Sequence, residues 1–454
     1  MSKPKANTAD VEVSQLPQNS QYSSRLERFE SIRTRTRTRT SLSGRIQSWT
    51  AAALLVSYLV FSVSLYSVLN QETTKVFWYL YLTIATLVAG ATALEAYDGL
   101  TPLEEARKSI YRLEKDDQKF KTSDHALPLV ELIVDATNGC DTDELNAIER
   151  IRTDISYPES LIRINTLCGE NVQADPAGSV FEDHYGAAGV RTCGIPSRAN
   201  GSLSSRLAYF LQANGIKSSS IVAIFSGDQR PNPLAVRTAV ERLVQDNKID
   251  VIQGRTVQVP QGRTYSISAA LANVEHDMDN ALLRPGQAIT WGLNIADNTN
   301  TFWKIEALRA AVRLTSAVSR DGHDLAFAAT SLGLKTVSDL SIICFRPCPS
   351  TFSGYLNKRT TTAREWSLAA TRYLSLAFRK HAPDHGASPV NWSLKSRFAV
   401  IYQLLLLRIA SHAVLQYLCL AIALLITRTP KSTLDFAYLI CFPFPISEWL
   451  IVGG

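Results

Sequence analysis

IVAIFSGDQRPNP, residues 221–233, decides the fold. Five apolar residues, mostly branched, run straight into Ser-Gly-Asp-Gln-Arg-Pro. An unbroken apolar run of this length marks a strand buried on both faces, as in a sheet covered by helices on either side. The strand ends at a polar edge and delivers Asp228 there. In open α/β sheets ligands bind beyond the carboxyl ends of the strands, which makes Asp228 a candidate metal or phosphate-side ligand. Gly-Asp followed by two prolines also forms ordinary turns, so the flanking sequence has to decide between the two readings.

Upstream, residues 127–136 (LPLVELIVDA) read as a strand ending at Asp135, and 161–168 as another with Glu170 just beyond it. Residues 141–154 carry apolar positions at helical spacing behind Asp141 as N-cap, and 202–214 form a helix closed by Gly215. Downstream, 234–246 read as a helix and 249–259 (IDVIQGRTVQV) as a strand. This alternation predicts the α/β class with a mostly parallel sheet. Neither a Gly-x-Gly-x-x-Gly nor a Walker loop is present, so dinucleotide and P-loop readings lose their support. Beyond 260 helices are expected at 268–283, 301–318 and 324–332, with a strand at 336–343. His276 and His323 sit in the acidic patches EHDMD and RDGHD. Without a helical His-x-x-x-His pair they read as hydrogen-bonded histidines rather than metal ligands.

The 454 residues are enough for a large core, and the net charge of +6 is concentrated in the N-terminal stretch. That distribution does not describe a nucleic-acid-binding surface on the folded part, and no nucleic-acid partner is expected. The seven cysteines show no paired Cys-x-x-Cys spacing, which argues against a zinc site and for reduced thiols. Residues 1–45, with the run RTRTRTRT, read as a disordered basic tail suited to anionic lipid and to phosphorylation on its threonines. Uncharged runs at 46–71 and 76–94 predict a transmembrane helical hairpin over 46–95. The basic tail puts the N-terminus, and hence the central domain, in the cytosol. A charged connecting helix follows at 96–126. Residues 392–454 read as an interfacial helix and one or two transmembrane helices, the last run stopping mid-pattern. The expected location is a multi-pass membrane protein with its domain facing the cytosol.

The order of five segments, IVAIFSGDQRPNP, IDVIQGRTVQVPQG, NTNTFWKIEAL, HDLAFAATSLGLKTV and AREW, resembles the membrane-embedded family 2 glycosyltransferases, the class of cellulose, hyaluronan and chitin synthases. The resemblance covers about residues 127–370 and implies a GT-A domain, here 127–391, flanked by transmembrane helices. It further implies a nucleotide-sugar donor such as UDP-glucose or UDP-N-acetylglucosamine, a divalent Mg²⁺ or Mn²⁺, and inversion at the anomeric carbon. The family's Asp-x-Asp falls on Ser226, Gly227 and Asp228, so Asp228 is the implied metal ligand and the first carboxylate is a hydroxyl. Asp135 and Glu170 become nucleotide or metal neighbours. The family's catalytic-base aspartate falls on Gly322, flanked by Asp321 and Asp324. Asp324 is preferred as base because it begins a helix, although it would equally serve as an ordinary N-cap. The Gln-x-x-Arg-Trp signature is matched by Arg364 and Trp366 without the Gln, and Arg255 and Asn300 fall on family positions near the donor.

The expected function is transfer of a sugar from a nucleotide donor to a glycan or lipid acceptor, possible other synthase subunits being partners. The departures at Ser226, Gly322 and Arg364 leave a second reading open: a catalytically degenerate relative acting as partner or regulator of an active synthase.

Overall fold

Around the run at 221–233 a single large sheet assembles. The structure, a computed structural model, describes residues 44–114, 120, 122–136, 154–169, 190–195, 202–213, 220–259, 267–316, 323–349, 352–378, 393–427 and 432. In chain order the elements are α1 (Gly44–Val68), α2 (Gln71–Glu114), β1 (Val130–Asp135), β2 (Ile162–Gly169), β3 (Val190–Ile195), α3 (Leu203–Ala213), β4 (Ile221–Ser226) and β5 (Arg230–Pro231). There follow α4 (Ala235–Gln245), β6 (Val251–Val259), α5 (Ile267–Asp277), α6 (Arg284–Trp291), β7 (Thr301–Lys304), α7 (Ile305–Ser316) and α8 (Asp324–Ser331). The chain then forms β8 (Thr336–Pro347), α9 (Phe352–Tyr373), α10 (Leu394–Ile401) and α11 (Leu407–Thr427). It divides into two compact units, 1–60 and 61–454; the described part of the first is helical and belongs to α1.

The eight strands are ordered β3-β2-β1-β4-β7-β6-β8-β5. All but β5 and β7 share a direction, so the mostly parallel sheet holds, with β7 inserted antiparallel between β4 and β6. β4 shows why a continuous apolar run was needed. Its Ile221, Ala223 and Phe225 join one core, with Val236, Ala239 and Val240 of α4. Its Val222 and Ile224 join the other, with Leu207 and Phe210 of α3 and Leu308 and Val312 of α7. Alternate side chains leave opposite faces of a strand, and here both faces are covered by helices.

Three expectations change. The segment expected to be helix from Thr301 begins as β7: Phe302 and Trp303 are fully buried on opposite faces of the sheet, and the helix starts only at Ile305. Burial of two aromatic rings outweighs any helical preference of so short a piece. The boundary expected at 95/96 between hairpin and connecting helix does not exist, because α2 continues through Pro102 to Glu114. β3 was not anticipated; its glycine and arginine dilute the apolar signal.

Among the described residues one helix, Glu72–Ile110, is long and apolar enough to cross a membrane, while Val56–Val68 and His412–Thr427 are shorter apolar stretches. Of the expected spans, the second helix of the hairpin meets this measure among the described residues. Residues 1–43 of the expected tail, 141–153 of the expected helix and the last apolar run at 436–454 lie outside the described residues.

Candidate functional site

β1 and β4 pair in parallel register, Asp135 opposite Ser226, so both strands deliver their polar ends to one edge. The turn after β4 is tied from several sides. Gly227 N–H donates to the Asp135 carbonyl (2.9 Å), Ser226 N–H to Gln229 Oε1 (2.9 Å), and Gln229 Nε2 to Thr299 Oγ1 (3.0 Å). β5 then pairs antiparallel with β8, Arg230 opposite Phe345, and continuing that register brings Arg346 to the turn. Arg346 Nε donates to Asp228 Oδ2 at 2.6 Å, whereas Asp228 Oδ1 is buried with no hydrogen-bond partner among the described residues.

The other anticipated residues divide into two groups. Asp135 reaches the same edge, with Oδ2 accepting from Arg206 of α3 at 2.5 Å and Oδ1 buried without a partner among the described residues. Arg255 is committed to Asp277, with Nη2 2.6 Å from Oδ1. Asn300 is fully buried in the left-handed region (φ 55°), and its Nδ2 donates to the Arg255 carbonyl at 3.0 Å. A side chain on Gly254 would meet that amide, which fixes glycine there. Glu170, Asp321 and Gly322 lie outside the described residues.

Asp324 opens α8 and is buried, but its carboxylate is engaged: Arg372 Nη1 donates to Oδ2 at 2.7 Å, and the Tyr373 hydroxyl also bonds to it. Burial, together with the Asp324 charge, pushes the Tyr373 hydroxyl well above the usual phenol range. Such an arrangement holds Arg372 in place at the start of α8. Trp366 lies against the His323 ring (4.5 Å between centroids) and edge-on to Phe327, which Tyr373 stacks on at 5.0 Å. Arg364 is exposed on α9. The arginine that reaches the Asp324 region is therefore Arg372, next to an aromatic residue later in the same helix. That adjacent Arg-Tyr pair was the sequence signal that could have found it.

Further charges lie nearby. Arg284 is held between Asp279 (2.9 Å) and Asp297 (2.5 Å). Burial opposes ionisation of Asp297, yet Arg284 holds its carboxyl below the usual carboxylate range. His276 is pushed down to about 3 by burial and by the positive charges of Lys358, Arg284 and Arg346. Lys358, half-buried on α9, lies in the electrostatic field of Arg346, Asp297 and Asp228 and makes no ion pair among the described residues. Arg346 escaped notice because the strand was expected to stop at 343, four residues before its observed end at Pro347.

No protein-family model matches this sequence, and neither does any curated protein. Among solved structures, the mannosyltransferase PcManGT from Pyrobaculum calidifontis, in complex with GDP-Man and Mn²⁺, matches over 82% of this chain and 95% of its own, with a TM-score of 0.51 and 16% identity. The chain shares its fold with this mannosyltransferase. S. aureus TarS 1-349 in complex with UDP also aligns, over 61% of this chain and 70% of its own, at TM-score 0.36 and 11% identity.

Whether this glycosyltransferase fold keeps a divalent-metal site can be tested on its donor atoms. Among the described residues no three His, Cys, Asp or Glu side chains come together. Ser226 offers a neutral hydroxyl, and one oxygen of Asp228 is already occupied by Arg346. Among the described residues Asp228 Oδ1 and Asp135 Oδ1 are the two unpartnered carboxylate oxygens at this edge, and each carboxylate already carries an arginine on its other oxygen. A cation with six or more oxygen ligands would need most of them from water or phosphate, so the described side chains alone do not make a cation site.

Proposed function

We propose that the chain is a membrane-embedded family 2 glycosyltransferase that moves a sugar, with inversion, from a UDP-linked donor to a glycan or lipid-linked acceptor. The observation that carries this reading is Asp228 with its unpartnered Oδ1, at the carboxyl edge of a sheet with a glycosyltransferase fold. Inversion follows from a single displacement. The acceptor oxygen bonds to the anomeric carbon as the bond to the donor phosphate breaks, and the electron pair leaves with the diphosphate. The acceptor proton goes to a carboxylate base. Asp321 takes that role in this reading, since Asp324 is engaged by Arg372. Arg372, held by Asp324, replaces Arg364 as the arginine that steadies the leaving group. Trp366, Phe327 and Tyr373 supply aromatic surface of the kind on which sugar rings pack. The resemblance's Mg²⁺ or Mn²⁺ would find Asp228 Oδ1 and Asp135 Oδ1 as orphaned carboxylate oxygens, and the displacement above is derived without it.

In this reading the α2 region anchors the chain in the membrane and the sheet domain faces the cytosol, with lipid and other synthase subunits as partners. A second reading, a degenerate relative that regulates an active synthase, is favoured by one observation: Asp228 and Asp324 are both already neutralised by arginine. The two separate on turnover. Purified chain in lipid nanodiscs, given a panel of UDP- and GDP-sugars with and without Mg²⁺ or Mn²⁺, is expected to release nucleotide from at least one. Arg372→Gln should lower kcat by about 100-fold, and Arg364→Gln should stay within about twofold. Binding of donor without any release across the panel would favour the degenerate reading.

A further inference from the structure

The edge that carries Asp228 has an unusual charge balance. Its two carboxylates, Asp135 and Asp228, are each already bound by an arginine, and Ser226 is neutral. Asp228 is matched by Arg346, whose Nε alone contacts it. The Nη nitrogens of Arg346 make no hydrogen bond among the described residues, and its side chain is 34% exposed. α9 packs beside the end of β8, Tyr355 against Cys348 two residues beyond Arg346. Lys358, three residues further along α9, adds a second cation, half-buried and without an ion pair among the described residues. The neighbouring carboxylate of Asp297 is bound to Arg284, and His276 is neutral. Keeping an ammonium partly out of water without a counter-ion costs free energy, and an anionic ligand recovers it.

We infer that Arg346 and Lys358 receive the diphosphate of the donor directly, so that a nucleoside diphosphate binds this chain without a divalent cation. The inference rests on the reading of this edge as a nucleotide-sugar site and goes beyond it by assigning the neutralising charge to the protein. With Arg346 offset by Asp228, Lys358 leaves one net positive charge beside the diphosphate, and charge-assisted bonds from the open Nη edge of the guanidinium suit its oxygens. The same balance reverses the expected effect of removing Asp228: a metal ligand is lost in one case, and a negative charge beside the diphosphate in the other.

Calorimetry on the full chain in nanodiscs, with UDP and GDP as probes in EDTA and then in Mn²⁺, tests this. Affinity in EDTA should lie within about threefold of that in Mn²⁺. Arg346→Gln and Lys358→Gln should each weaken binding in EDTA by about tenfold or more, with uridine and guanosine binding unchanged. Asp228→Asn should bind as tightly as the native chain or more tightly. Binding that appears only with Mn²⁺, indifference to both cation substitutions, or a tenfold loss in Asp228→Asn overturns the inference and leaves the glycosyltransferase reading standing. If neither nucleotide binds with or without metal, both fall. Unchanged melting temperatures in the variants exclude misfolding, and Lys358→Gln, at a half-buried position, keeps the test open should Arg346→Gln not fold.

Discussion

His276 accepts a hydrogen bond at Nδ1 from the Asn280 amide (3.0 Å) and lies in the field of Lys358, Arg284 and Arg346. Burial disfavours the charged ring, and Lys358, Arg284 and Arg346 add repulsion that outweighs the opposing charge of Asp297, so its pKa falls to about 3. The unfolded chain releases that constraint and its histidine titrates near 6.5. With the folded value below the unfolded one, the contribution to stability is complete above about pH 6.5 and is lost as pH falls from there toward 3. The slope is at most about 1.4 kcal/mol per pH unit for one group. His276→Gln, which keeps an acceptor for Asn280 without a titrating ring, should flatten the acid side of the stability curve. Melting temperatures between pH 4 and 7 check this; parallel curves for variant and native chain would contradict it. The contrast between Asp228 and Arg346 shows what was legible at this scale. Asp228 announces itself by ending an apolar run, whereas Arg346 lies 118 residues away and acquires meaning only through the pairing of β5 with β8.

Between elements, α2 lies backbone-close to α6 and to Leu282 just before it. A β-carbon on Gly286 would overlap the Glu95 carbonyl oxygen, and one on Gly99 the Leu282 carbonyl oxygen. This proximity lets Glu95 accept from Trp291 Nε1 (2.5 Å) and Gln287 Nε2 (3.0 Å), and Asp98 from Thr290 Oγ1 (2.6 Å). Backbone atoms cannot swing aside as a side-chain tip can, so Gly286→Ala should destabilise by about 1–3 kcal/mol, seen as a lower melting temperature. Gly90→Ala in α2 is the control, since nothing lies within 4 Å of an added β-carbon there; equal losses in the two variants would refute the packing argument. β1, β2, β4, β6 and α8 were readable because their apolar runs or periodicities are long relative to their neighbours'. β7 was not, because four residues carry too little pattern to compete with the helix they adjoin. The continuity of α2 was missed because the change from apolar to charged residues near Glu95 marks a change of surroundings, not a break in the hydrogen-bond ladder.

For the whole molecule, α2 joins two environments in one rod. Its first half exposes large apolar side chains such as Val76, Tyr79, Leu80, Leu87 and Leu94, while its second half docks on α6 through Glu95, Asp98 and Gly99. So much apolar surface is unfavourable in water and matches a lipid interior, and the aromatic residues near the start of the run suit a membrane interface. Within the unit 61–454, α11 closes on the same half of α2: Trp78 Nε1 donates to the Tyr417 hydroxyl (3.2 Å), and Ala85 and Val88 pack with Val414 and Leu407. Under the proposed membrane reading the full chain should stay in the membrane pellet after carbonate washing and require detergent for extraction. Replacing Leu80 and Leu87, exposed residues of this half, with Lys should release it, since a charge at the centre of a spanning helix costs about 2.5–3.5 kcal/mol. The matching substitution Leu271→Lys, on an exposed position of α5, should leave membrane retention unchanged. If the native chain washes off at high pH, or if the α2 and α5 variants behave alike, α2 is a surface helix of a peripheral protein and the anchoring role assigned to it is wrong.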